Sequence, residues 1–191
     1  LQALTVDYEA INKRLLNCDP LGWKSARHPG NFLLPFTLIL IAELKEIPDH
    51  SQIKVISEDK KGIFVRWSQE MEIENNQDLH TYMDYLFPAL QRHPISEEMR
   101  ITLTRSVHSV LLKRIRSVSK DQLRYAYNRV AIQATAFVEA AVICSREAMA
   151  EKFLSTVRSR ILRNKTLRAE LKVAMNYSKV IPEDFIKGVS I

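Results

Sequence analysis

From Val130 to Cys144 the chain reads V-A-I-Q-A-T-A-F-V-E-A-A-V-I-C, and only Gln133, Thr135 and Glu139 are polar. A surface helix is apolar along one stripe, whereas a helix apolar nearly all round is enclosed on most sides. The alanines let neighbours approach closely, and Ile132, Phe137, Val138, Val142 and Ile143 fill the space between them. Apolar residues recur every three or four positions from Leu123 through Tyr127, Ala134, Ala141, Phe153 and Val157 to Ile161. No Gly or Pro interrupts them, so the pattern predicts one long or slightly bent central helix over about 121–162, with two helices joined near Ser145 as the alternative. Ser119-Lys120-Asp121-Gln122 fits a capping box at its start.

Other helices follow from the same spacing. Leu4, Tyr8, Ile11 and Leu15 predict a first helix over 4–16, with Lys13 and Arg14 suiting its C-terminal dipole. Cys18-Asp19-Pro20-Leu21-Gly22 ends it. Asn31 is placed to cap a helix over 32–47 that Pro48-Asp49 stops. Leu79, Met83, Leu86 and Leu90 predict a helix over about 77–91. Ser96-Glu97-Glu98 opens another, with a cap and two acids in its first turn. It ends near Ser117. Asn164 weakly breaks the long pattern before a helix over 167–177.

One segment carries a β signal. Gln52-Ile53-Lys54-Val55-Ile56-Ser57 and Ile63-Phe64-Val65-Arg66-Trp67 are β-branched runs joined by a polar turn ending in Gly62. Glu70-Met71-Glu72-Ile73-Glu74 then alternates strictly. The segment predicts an antiparallel hairpin over about 52–73, packed on a helix because a lone hairpin is marginal in water. The expected fold is therefore α+β and predominantly α-helical, with helices around the central one. At this length it forms a single domain, 1–191.

Charge divides that domain in two. Residues 1–98 carry 10 Lys and Arg against 15 Asp and Glu; residues 99–191 carry 18 against 7. Such segregation points to two faces with different partners, or to attraction between the halves. Cys18 and Cys144 form no disulfide framework, which implies a reducing compartment and a cytoplasmic location. The most apolar run, 32–42, is far short of the about 20 residues that span a bilayer, so no membrane span is expected.

Motifs of chemistry are sparse. The four glycines stand apart, which excludes a P-loop and a dinucleotide fingerprint. The five histidines are scattered, with no H-E-x-x-H and no C-x-x-C, so no metal or cofactor is expected. His80 and Asp84 share a helical face, a spacing that suits a hydrogen bond better than a metal. Cys18 is the one cysteine in a loop with cations nearby, the weak case for a nucleophilic thiol.

These absences favour a non-catalytic adaptor or structural subunit of a larger cytoplasmic assembly. Secretion-type adaptors and chaperones are an analogy of shape alone. Its partners would be other protein subunits, met through Trp23 in the first loop and the acidic strand row Glu70, Glu72 and Glu74. The second reading is nucleic-acid binding through Lys113, Arg116, Lys120 and Arg124, which bracket a helix junction, and through Arg160, Arg163, Lys165, Arg168 and Lys172. Aromatic residues for stacking are few there, namely Tyr125, Tyr127 and Tyr177. An enzyme without a familiar motif is third.

Overall fold

The computed structural model describes residues 7–25, 28–58, 92, 94–161 and 163–187. All regular structure among them is helical. In order they form α1 (Tyr8–Leu16), α2 (Gly30–Ile41), α3 (Gln52–Glu58), α4 (Glu97–Lys120), a 3-10 turn (Arg124–Ala126), α5 (Tyr127–Ile143), α6 (Glu147–Ile161), α7 (Lys165–Tyr177) and α8 (Glu183–Lys187). The helix expected over 77–91 lies outside the described residues.

The stretch singled out by its apolarity is α5, and it is the centre of the core. Ala131, Ala134, Ala136, Ala140 and Ala141 are all buried, which lets α3, α4, α6 and α7 pack closely around it. Phe137 meets Phe153 of α6 edge to face, with ring centroids 4.8 Å apart, and His108 of α4 closes on both rings. Burial lowers the pKa of His108, with help from nearby Lys152 and Arg160. Each polar residue of α5 has its own partner. Gln133 Oε1 accepts from Arg114 Nε at 2.8 Å, and Thr135 Oγ1 donates to Ala131 O at 2.9 Å. The Glu139 carboxylate accepts the N–H groups of Gln52 and Ile53.

Those last bonds overturn the hairpin. The residues expected to form its first strand are α3, and no strand exists among the described residues. The N–H groups of a helix's first turn need outside acceptors. Here Gln52 and Ile53 donate to Glu139, and Lys54 donates to Ser51 Oγ at 3.1 Å. Ile53 and Ile56, three apart, then share the buried face. The β-branched run suited a strand locally, but a tertiary anchor outweighs that preference. The rest of the expected hairpin, 59–73, lies outside the described residues. Among the described residues the fold is thus α-helical rather than α+β, and the helix-plus-sheet shape behind the adaptor analogy is not found there.

The single helix over 121–162 is also corrected. It is α5 and α6, separated at Ser145, whose φ is 55°. Arg146 N–H reaches back to Ala141 O at 2.8 Å and Ser145 N–H to Val142 O at 3.0 Å, the paired bonds of a Schellman stop. The same pair ends α4, where Gln122 has φ 50° and Leu123 N–H donates to Val118 O at 3.1 Å. It also ends α2 at Glu43, φ 48°. Because α4 runs on to Lys120, the expected capping box over 119–122 is instead the end of a helix. None of the three stops uses glycine.

The cap at Ser96 matches the sequence reading, and Asn164, read only as a break, caps the next helix. Ser96 Oγ accepts from Met99 N at 3.2 Å to start α4. Asn164 Oδ1 accepts from Leu167 N at 3.0 Å to start α7. Asn31 does not cap α2. It lies inside the helix, buried, and its amide donates to Trp23 O at 3.0 Å and Ser25 O at 2.9 Å, holding the preceding loop.

Chain direction decides what shares an end of the bundle. Arg114 meets Gln133, and Arg146 pairs with Glu97, so α5 runs antiparallel to α4. Arg160 Nη1 donates to Leu112 O at 3.1 Å, so α6 returns parallel to α4. Asn164 Nδ2 donates to the Tyr127 hydroxyl at 2.8 Å, so α7 sets off beside the start of α5. The ends of α4 and α6 and the starts of α5 and α7 therefore meet at one pole.

Candidate functional site

That pole collects most of the cations picked from the sequence. Lys113, Arg116 and Lys120 are exposed on the last turns of α4, and Arg124 is exposed in the 3-10 turn. Arg160 closes α6, Arg163 lies in the turn after it, and Lys165 opens α7. Arg168 is half-buried one turn further on, and Lys172, exposed, lies nearer the middle of α7. Two groups that were far apart in sequence are thus brought together. Lys113, Arg116, Lys120, Arg124, Arg163 and Lys165 make no ion pair with any described carboxylate.

At the opposite pole two arginines are matched. Arg100 pairs with Glu43 and with Glu97, and Arg146 pairs with the same Glu97. Arg100 and Arg146 are thus neutralised locally, unlike the six cations of the basic pole.

Helix dipoles explain part of the basic pole. Lys120 and Arg160, in the last turns of α4 and α6, complement the negative ends of those helices. Lys165 does the reverse. It stands in the first turn of α7, beside the positive end, and no acid accompanies it there.

Behind the exposed cations sits a buried one that the sequence reading missed. Arg114 falls in the apolar stripe of α4 and is 2% exposed. Its Nη1 donates to Pro20 O at 2.9 Å, and its guanidinium lies 4.5 Å from the centroid of the Trp23 ring. Burial, reinforced by repulsion from Arg129, brings its pKa down to about 9. The signal was available as a cation between Leu111 and Ile115 on an otherwise apolar face.

Trp23 is therefore placed differently from the anchor expected of it. It is 0% exposed. Its Nε1 donates to Asp19 O at 2.7 Å, its ring stacks on His28, and Arg129 Nη1 donates to its carbonyl at 3.0 Å. It fixes the first loop against α4 and α5 and offers no surface to a partner. Glu70, Glu72 and Glu74, and the His80–Asp84 pair, lie outside the described residues.

Of the three tyrosines near the cations, only one faces solvent at this pole. Tyr127 is buried against Asn164, and Tyr177 lies at the far end of α7. Tyr125, in the 3-10 turn, is 68% exposed, and Lys24 Nζ sits 5.5 Å from its ring centroid.

The thiols are both free, and burial raises the pKa of each. Cys18 Sγ donates to Arg14 O at 3.4 Å, a setting that disfavours a thiolate. No group of three or more metal-ligating side chains is present among the described residues. No described helix is long and apolar enough to cross a membrane. Comparison with protein-family models, curated proteins and solved structures gave no match.

Proposed function

We propose that the protein binds nucleic acid through the basic pole formed by the ends of α4 and α6, the 3-10 turn and the start of α7. One observation carries this reading: the topology concentrates Lys113, Arg116, Lys120, Arg124, Arg163 and Lys165, none of them in an ion pair with a described carboxylate. Unpaired exposed cations repel one another, and a phosphate backbone relieves that repulsion while releasing its counterions. Lys165 adds support, because it stands where the helix dipole disfavours a cation. A local conflict of that kind is expected at functional sites.

The adaptor reading leaned on Trp23 and on a strand edge, and both have lost their place. Its remaining support, the segregated charge, also suits an acidic protein subunit at the same pole, so the test must separate the two. The free thiols support a reducing, cytoplasmic setting.

The experiment is a fluorescence-anisotropy titration of labelled oligonucleotides and of labelled poly-glutamate at about 50 mM salt, where the electrostatic contribution is strong. Binding of the oligonucleotides that weakens with added salt supports the reading. Binding of poly-glutamate alone replaces it with an acidic protein partner.

A further inference from the structure

We infer that the basic pole takes its nucleic acid as a single strand, with one base stacked on Tyr125. This rests on the nucleic-acid reading above and adds the form of the ligand.

The inference starts from the contrast between two tyrosines in adjacent turns. Tyr127 is 3% exposed and its hydroxyl holds the start of α7, so its role is structural. Tyr125 is 68% exposed and contributes little to the core. Its neighbours are cations. Arg124 precedes it in the chain, and Lys24 from the first loop reaches its ring.

An exposed ring among cations matches the needs of a single strand. Unpaired bases present an open π-face, and stacking on an aromatic ring recovers the area exposed on unstacking. Cations beside the ring then follow the phosphates on either side. Duplex bases already stack on each other and leave no face for Tyr125, so a duplex would use the cations alone. Every base has a π-face, so the site tolerates any sequence.

The test compares a labelled oligothymidylate of about 16 nucleotides, the upper end of common site sizes, with a duplex of the same length. Wild type, Tyr125→Ala and Tyr125→Phe are measured on both ligands, with thermal midpoints as a check on folding. The expected result is stronger binding of the single strand. Tyr125→Ala should weaken strand binding about five- to a hundredfold, the usual worth of one stacked base. The salt slope should persist, duplex binding should hold, and Tyr125→Phe should bind as wild type does. Equal binding of both ligands with no effect of Tyr125→Ala overturns the inference and leaves the nucleic-acid reading standing. An equal loss in Tyr125→Ala and Tyr125→Phe also overturns it, because the hydroxyl rather than the ring would then be at work. Binding of neither ligand removes both readings.

Discussion

The carboxylate of Glu139 in α5 accepts the backbone N–H of Gln52 at 2.8 Å, across 87 residues of chain. The neighbouring oxygen accepts Ile53 N–H at 3.0 Å, and the Ser178 hydroxyl supplies a third hydrogen bond. One fully buried acid thus joins α5 to the start of α3 and to the end of α7. Removing it as Glu139→Ala leaves two buried N–H groups without acceptors, at an expected cost of about 2–5 kcal/mol. Chemical denaturation should show that loss, and a change within about 0.5 kcal/mol, as at a surface site, would contradict the role given to Glu139.

The same acid gives the fold a pH dependence. Burial raises the pKa of Glu139, although Ser178 and the N–H groups of Gln52 and Ile53 pull the other way. The folded state therefore holds this proton more tightly than the unfolded chain does. Its contribution to stability is fully present below the ordinary glutamate value of about 4.3 and is lost as pH rises through the folded value. Glu139→Gln cannot titrate. Melting midpoints from acid to neutral pH should therefore decline less in Glu139→Gln than in wild type, and parallel curves would contradict this sign.

Gly30 tests the packing of the first loop. A Cβ built there falls 2.4 Å from two atoms of the Trp23 ring, and that ring is clamped by Asp19, His28 and Arg114. Helix propensity alone would make Gly30→Ala favourable by about 1 kcal/mol. Overpacking against Trp23 should reverse the sign and cost about 1–3 kcal/mol. A more stable Gly30→Ala would show that Trp23 is free to move aside.

The helix stops make a prediction of the opposite sign. Ser145 and Gln122 hold positive φ values of 55° and 50°. Left-handed backbone costs an L-residue roughly 1–2 kcal/mol, which glycine avoids. Ser145→Gly and Gln122→Gly should each stabilise the protein by about 0.5–1 kcal/mol after glycine's own entropic cost. Lower melting midpoints in both would contradict the Schellman geometry.

These positions also show how far the sequence could be read. The enclosed helix was legible because its alanines and branched apolar residues fill every face, and the cap at Ser96 because a cap is a local event. The division at Ser145 was the less favoured of two readings, since a left-handed stop without glycine has no marker that decides it. The hairpin was misread because Ile53, Val55 and Ile56 suit a strand locally, while Glu139, which anchors them as a helix, lies far along the chain. The cations of the basic pole were each visible. That the groups at 113–124 and 160–165 share a pole depends on the directions of α4, α5, α6 and α7. The buried state of Trp23 and the exposure of Tyr125 depend on how the first loop and the 3-10 turn are seated, which no local pattern encodes.

The most direct measurement of the functional claim is the salt dependence of nucleic-acid affinity in wild type and in a variant with Lys113, Arg116 and Lys120 all changed to Ala. The three side chains are exposed, so the fold should persist. If each neutralises a phosphate, the slope of log K against log salt should shrink by about 2–3 units. Changing Lys45 and Lys179, exposed outside the basic pole, should leave it unaltered. A slope that is the same in wild type and the triple variant, or no binding at about 50 mM salt, would contradict the assignment of the basic pole to nucleic acid.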